Sequence, residues 1–511
     1  MTKVKNPKLK NPIEKYFKEI TLYHYYLFSL LFLSKLLLFW HILNLIFLSP
    51  PINFYCSNNI TTSDGAKNFS SFKNLCPCDK PIWDRGVFTQ TVQTKFGVYC
   101  ARSWLLTFSQ SMLYAGLLIG SLIFGFLSDR YGRLSMYMIC ATMIAVFGSL
   151  VSVMPDITSY ICMRFFEGIG AGGGLVICFV LCIEYCGVKH REAITALFHL
   201  PGNLAHMSLA GISYLLRDCD NLQLALSLPM FAVISYKWLL MESPKWLMDN
   251  DGVDEAAAVM EKIFRFNKKP YENLKEQIET YHSTHPDKIK GKMKFWEIFK
   301  HRKLVIYFCC MSVIYFVCGM GYYGVSQFIG KMGGDIHANV AISGTLLLPG
   351  TIASIFLLKI LPRRKFLMAT NFLSGLFMLI VVCIPDNESN LRLLRVGTAC
   401  VCNAFFFMSF IIVFLYGVEL FPTSIRNSAL GVLSVLSRIG QVVTPPINEM
   451  SEFASGIVYG VMAIVGAVLC YPLPETKNTE LPSSFDDTKT LTKRKVLKNA
   501  QRSLGIDFDK N

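Results

Sequence analysis

Four charged side chains stand where water is excluded. Lys35, Arg164, Glu167 and Arg438 lie inside long apolar runs. A charge at the centre of a membrane-spanning helix costs at least about 2.5 kcal/mol unless something compensates it. Such a group either pairs inside the protein or meets a mobile ion of opposite sign. Lys35 lies about 11 residues, or roughly 16 Å, into its run at helical rise. Arg438 is equally deep in its own run, and Glu167 is near mid-depth with Arg164 one turn away. The Arg164–Glu167 spacing also fits a structural ion pair, and Lys35 also fits a hydrogen bond buried between helices. Tyr322, Tyr323, Phe406 with its neighbours Phe405 and Phe407, and Tyr416 offer ring faces for flat organic groups or cations, or for packing alone. His41, His199 and His206 are candidate proton carriers, or hydrogen-bonded packing residues. The string RFFEGIGAGGG at 164–174 lies mid-run with no strand before it. Its glycines therefore suit close helix packing rather than a dinucleotide. No phosphate loop, nucleophile–base set or metal cluster is visible, so we expect no catalytic residue, no metal and no cofactor.

The elements that position these groups are membrane spans. The 511 residues are 52% hydrophobic and only 17% charged, with a mean hydropathy of +0.41. Soluble chains carry about a quarter charged residues, so a soluble enzyme or a nucleic-acid binder is excluded. Runs of about 20 apolar residues predict spans at 24–48, 106–127, 134–154, 158–183, 193–216, 222–241, 304–328, 337–360, 366–385, 393–417, 427–447 and 454–472. The expected fold is an all-α integral membrane protein of twelve transmembrane helices in two six-helix bundles. Its parts are a basic N-terminus (1–23), a first bundle (24–241), a middle segment (242–303), a second bundle (304–472) and a basic tail (473–511). The stretch DEAAAVMEKIF in the middle segment reads as an amphipathic helix.

Sidedness follows from charge. The net charge of +15 is concentrated at the ends, in the middle segment and in short turns. With a cytoplasmic N-terminus, the inner turns hold Arg130, Arg133, Lys189, Arg191, Arg363, Arg364, Lys365 and Arg426, and the outer turns only Arg217 and Lys331. That asymmetry predicts both termini and the middle segment inside. The basic run at 489–502 reads as an anionic-lipid contact. A large loop at 49–105 then faces outward. It carries sequons at Asn59 and Asn68, and the cysteines Cys56, Cys76, Cys78 and Cys100. Four cysteines allow three disulfide pairings, which the spacing does not separate.

The turns repeat. After the second span comes GSLIFGFLSDRYGRLSM, in which Gly125, Asp129, Arg130, Gly132 and Arg133 suit a tight charged turn. This arrangement would serve as a latch between the bundles, breaking as they rock. Glu184 precedes Arg191 by seven residues, and Glu419 precedes Arg426 by seven. The bundles close with MESPKWL, containing Glu242, and with LPETKNTEL. A duplicated six-span unit with ionic turns at matching places is the mark of an alternating-access transporter.

GFLSDRYGR resembles the signature turn of the major facilitator superfamily. The stretches WDRGVFTQTVQTKFGVYCARSWLLTFSQSMLYAGLLIG, MESPKWL, GYYGVSQFIGKMGGDI and YGVELFPTSIRNSALG are similar to solute carrier family 22, the organic cation, anion and carnitine transporters. The resemblance covers about 14–480 and implies the facilitator fold, a rocker-switch mechanism and amphiphilic organic ions as substrates. It also implies a role for Arg438, at a position where cation-preferring members carry Asp and anion- or carnitine-preferring members Arg. Leu347 stands where the family commonly has an acid, and Thr351 where anion transporters often have Lys. KILPRRKF departs from the family's Gly-Arg-Arg turn, so the second latch is expected to differ. We therefore expect an organic anion or carnitine-like zwitterion transporter at the plasma membrane. Its candidate substrate residues are Arg438, Lys35, Glu167, Tyr322, Tyr323 and Phe406, and its expected partners are a small organic ion, a co- or counter-transported ion and membrane lipid. The alternatives are a cation transporter of the same family and a non-transporting receptor or sensor on the same fold.

Overall fold

The computed structural model describes residues 16–477 apart from 18, 51, 57–73, 75, 79–80, 188–189, 251, 271–273, 285–297, 300, 386–388 and 423–424. Asn59, Asn68, Lys189 and the basic tail lie outside the described residues. In hydrocarbon each backbone N–H and C=O must find its partner within the chain, which turns the apolar runs into helices. Spans 1 to 4 are Leu22–Leu43 with its continuation Leu45–Leu48, Trp104–Tyr131, Arg133–Val153 and Ile157–Glu184. Span 6 is Cys219–Val233, followed by the short helix Tyr236–Leu239. Spans 7 to 12 are Arg302–Lys331, Ile336–Ile360, Arg363–Cys383, Ser389–Leu420, Arg426–Glu449 and Glu452–Leu469. Eleven helices among the described residues are long and apolar enough to cross a membrane.

The fifth span is the exception. It is expected as one helix at 193–216 but consists of two, Arg191–Leu197 and Leu200–Leu215. Pro201 has no N–H to donate, and the Gly202 N–H bonds to His199 O at 3.1 Å. A regular helix would send that N–H to Phe198 O. The Phe198 carbonyl is thereby left for a side chain.

Within the first half, spans 2 and 4 pack backbone to backbone. A Cβ on Gly120 would overlap Ile169 O, and one on Gly172 would overlap Leu117 O. This is the close approach expected of the span 4 glycines. Between described residues of the two halves, hydrogen bonds fall from mid-depth to the end that carries the large loop. Gln327 donates to the Tyr114 hydroxyl (2.7 Å), Asn203 to Thr351 (2.7 Å) and Thr107 to Glu449 (3.0 Å). Phe47 stacks on His337 at 5.3 Å. The halves are therefore closed at the loop end.

The loop has its own small core. Strands Phe54–Cys56 and Pro81–Trp83 pair antiparallel, and the rings of Phe54, Trp83 and Tyr99 meet at 5.6–5.7 Å. The disulfides are Cys56–Cys78 and Cys76–Cys100. Lys95 pairs with Asp220 at 2.7 Å, tying the loop to the start of span 6. At the opposite end the middle segment forms the expected amphipathic helix, Val253–Phe266, with Ala256, Met260 and Ile263 buried. Asn267 just beyond it accepts the Tyr23 N–H at 2.9 Å.

The glycines differ in what they tolerate. At Gly125 a Cβ would meet only Val176 Cγ1, at an ordinary 3.9 Å, so this glycine makes no close backbone approach. We expect Gly120→Ala or Gly172→Ala to destabilise the protein by about 1–3 kcal/mol through overpacking. Gly125→Ala should leave the thermal midpoint in detergent unchanged. Equal midpoints for all three variants would contradict the packing account.

Candidate substrate site

The centre of the molecule is built from spans 1, 5, 7, 10 and 11. Lys35 is 1% exposed. Its Nζ donates to Phe198 O, the carbonyl freed by the break in span 5. It also lies 3.3 Å from the Phe198 ring centroid, a cation–π contact. The expectation of a buried hydrogen bond between helices is met. Arg438 is half-buried on span 11, donates to Gln441 Oε1 at 3.1 Å and faces the Tyr323 hydroxyl. The two cations are within electrostatic reach of each other. Among the described residues neither forms an ion pair.

An aromatic wall lies beside them. Tyr322 meets Tyr323 at 4.8 Å and Phe407 at 4.9 Å. His199 sits edge-on to Phe407 and Phe410 at 5.7 and 6.0 Å. The Tyr322 hydroxyl and Gln441 Nε2 are buried without a protein partner. Each such orphan costs about 1–3 kcal/mol unless water or a ligand fills it. Tyr323 faces Arg438, and Tyr322 packs on Tyr323. Phe406 is not: it is fully buried against the bare backbone of Gly321. Its neighbour Phe407 and the next-turn Phe410 take the place expected for it. Tyr416 is also elsewhere, its hydroxyl donating to Pro474 O.

Glu167 is likewise drawn away from the centre. Its Oε2 accepts from Arg164 at 2.9 Å, and its Oε1 contacts His41 Nδ1 at 2.6 Å and Gln223 Nε2 at 3.0 Å. Arg164 also reaches Asn44 Oδ1 at 2.9 Å, and Asn44 donates to Gln223 at 2.7 Å. Both carboxylate oxygens are committed within spans 1, 4 and 6. The expected ion pair exists, and it leaves Glu167 no free oxygen to offer a solute.

The turn motifs form two matching clusters at the opposite end. In the first, Glu242 accepts the N–H groups of Arg133 (3.0 Å) and Leu134 (3.0 Å), capping span 3. Gly132 has φ +104°, and a Cβ there would lie 2.7 Å from Glu242 Oε2. The Arg133 guanidinium bonds Asp129 and, at 3.1 Å, Glu184. Burial pushes the Glu242 carboxyl above its usual range, against the opposing pull of its N–H donors. In the second cluster, Glu475 caps Arg363 N–H at 2.7 Å and the Arg363 side chain meets Glu419 at 3.3 Å. Arg363 therefore does what Arg133 does, although its turn lacks the glycine. Glu184 and Glu419 pair with these arginines, while Arg426 donates to Phe421 O. Every described pair also lies within one half, so in this state the motif clamps each half rather than joining them. Arg130 is exposed over the Tyr131 ring.

Residues 37–483 match the family described as sugar (and other) transporter. The chain belongs to that family. Solute carrier family 22 member 6 of Oryctolagus cuniculus is 29% identical over 434 residues, covering 83% of this chain and 78% of the relative. The organic cation transporter protein of Drosophila melanogaster is 28% identical over 431 residues, 82% and 77% of the two chains. Among solved structures, the inward-open xylose transporter XylE from E. coli superposes with a TM-score of 0.64 at 16% identity, covering 91% and 99%. The resemblance to solute carrier family 22 and the twelve-span facilitator fold are both borne out. The protein is a multi-pass membrane transporter rather than an enzyme.

Sequence reasoning used Arg363 for sidedness alone and Phe407 only as a neighbour of Phe406, and it missed Glu475, Phe410 and Gln441 among the site and clamp residues. Arg363 and Glu475 had a readable signal, their places in KILPRRKF and LPETKNTEL. The clamp gives a split prediction. Glu242→Gln removes a charge-assisted cap worth about 1–2 kcal/mol and should lower the thermal midpoint by several degrees. The Asp129 side chain is 67% exposed, and an exposed pair contributes only about 0–1 kcal/mol. Asp129→Asn should keep the midpoint while slowing turnover at normal surface expression, and unchanged turnover would remove its role in switching.

Proposed function

We propose that this transporter carries organic anions or zwitterions, and that Arg438 receives their acidic group. The carrying observation is the charge balance at the centre. Lys35 and Arg438 share it, and the nearest buried acid, Glu167, is already committed to Arg164. A guanidinium keeps its proton at mid-membrane depth. A carboxylate or sulfate would supply the missing charge and accept paired hydrogen bonds. Tyr322, Tyr323 and Phe407 would cover the organic body, with the unpartnered Tyr322 hydroxyl and Gln441 amide as further contacts. A simple cation would meet repulsion of about 1 kcal/mol or more in a partly hydrated cavity. Lys35, held by Phe198 O, adds to the positive field.

The same reading puts the protein at the plasma membrane, with its large loop outside and both termini inside. Closure at the loop end then corresponds to a state that opens inward, and solute crosses by rocking of the halves. The orientation is checked by glycosidase treatment, which should shift wild-type mobility and leave an Asn59/Asn68 double mutant unmoved. No shift in either would count against the outward loop.

Charge preference is checked by uptake of labelled anions, carnitine and small cations. Losing a charge-assisted pair costs about 1.5–3 kcal/mol, or about ten- to a hundredfold. Arg438→Asp should therefore abolish measurable anion uptake and raise cation uptake, while Arg438→Lys keeps weak anion transport. Good uptake of small cations by wild type, with none of anions, would overturn the assignment.

A further inference from the structure

The break in span 5 does more than free a carbonyl. His199 directly precedes the helix Leu200–Leu215, with φ −84° and ψ −18°. It follows Phe198, whose carbonyl and ring hold Lys35. The His199 ring meets Phe407 and Phe410 edge-on at 5.7 and 6.0 Å. Tyr322 leans on the same two rings, at 4.9 and 5.9 Å. His24, His41 and His337 each spend ring nitrogens on protein oxygens. Among the described residues, those of His199 have no hydrogen-bond partner.

The contacts at the centre close into a ring of six residues. Arg438 faces the Tyr323 hydroxyl, Tyr323 meets Tyr322 at 4.8 Å, and Tyr322 meets Phe407 at 4.9 Å. Phe407 leads to His199, His199 is within electrostatic reach of Lys35, and Lys35 is within reach of Arg438. Lys35, Tyr322, Tyr323 and Phe407 are each at most 3% exposed. Arg438 and His199 are the two members that stay partly exposed. The ring therefore meets water at two polar places with aromatic surface between them. An imidazole has an N–H to give in either charge state. His199 thus keeps a free donor for whatever enters, apart from the fork that Arg438 offers.

We propose that His199 selects solutes by the end remote from their acidic group. This rests on the reading that Arg438 receives that acid. The aromatic body then lies along Tyr323, Tyr322 and Phe407, and His199 donates its N–H to an oxygen at the far end. The Tyr322 hydroxyl, buried without a protein partner, belongs to a ring on the same two phenylalanines and shares that contact. The favoured solute is an aromatic acid with a hydroxyl or similar oxygen opposite the acid. A plain aromatic acid displaces water from His199 without replacing its hydrogen bond, which weakens binding.

The test is uptake by purified protein in liposomes, with labelled solutes in matched pairs. The acids are phenylacetate with 4-hydroxyphenylacetate, and biphenyl-4-carboxylate with its 4′-hydroxy derivative. Wild type should favour the hydroxylated member of at least one pair by about two- to tenfold, read in KM. His199→Phe should erase that preference, and His199→Gln, which keeps an N–H, should retain part of it. A preference that survives in His199→Phe, or none in wild type, would refute the proposal. Phenethylamine and tyramine separate it from the charge reading. If these amines alone are carried, Arg438 does not receive an acid, and a tyramine preference lost in His199→Phe still assigns the far end to His199. Should His199→Phe not fold, nitrogen-15 spectra of histidine-labelled protein in nanodiscs decide. The ring signal missing from His199→Gln should shift with the hydroxylated solute and stay in place with the plain one. Equal shifts with both, or no shift with either, would sink the assignment.

Discussion

A charge in hydrocarbon must be answered, and the membrane core of this transporter is organised by how each charge is answered. Glu167 is met by Arg164, His41 and Gln223 from spans 1, 4 and 6, which fixes the registers of those spans. Lys35 is met by a carbonyl, and that carbonyl exists only because span 5 breaks ahead of Pro201. Arg438 receives an amide and a phenol, neither of which neutralises it. The three solutions grade from closed to open, and the open one faces the aromatic wall.

The clamps at the turn end follow the same logic under milder conditions. Water is near, so pairing serves geometry more than solvation. Glu242 and Glu475 cap the first turns of spans 3 and 9, where helix N–H groups lack intrahelical partners. Arg133 and Arg363 then bind those caps' neighbourhoods to the ends of spans 4 and 10 through Glu184 and Glu419. Each half is thus tied together by its own clamp at the turn end.

The spans were legible because a membrane helix needs only length and apolarity, and both are linear properties of a sequence. The break in span 5 was not, since hydropathy is blind to one proline in HLPGN. The Arg164–Glu167 pair could be read from its spacing, but its third partner lies 126 residues away at His41. Phe406 was chosen over Phe407 although one residue turns a helical side chain by about 100°. Only the crossing of spans 7 and 10, with Gly321 against Phe406, shows which ring looks inward. The second clamp was underrated because a missing glycine was taken to weaken a turn that Pro362 builds with extended backbone, φ −61° and ψ 136°. The disulfide pairing required the strands of the loop.

The duplication that relates the halves makes their difference informative. The first half stabilises its interior with ions. The second uses neutral groups: Asn403 donates to Ser326 and Ser343 at 3.1 and 3.0 Å, and Tyr459 to Asn448 at 2.9 Å. At mid-depth the second half carries Arg438 as its charge and no acid to match it. Had the ionic pattern been repeated, a built-in carboxylate would occupy Arg438, and any anionic solute would have to displace it at the cost of a buried pair. Amides and hydroxyls hold spans 7, 8, 10 and 11 together without competing for that charge. The first half answers its buried acid with Arg164 and His41 and leaves Lys35 to a carbonyl, while the second holds Arg438 with an amide and a phenol and, among the described residues, no ion pair.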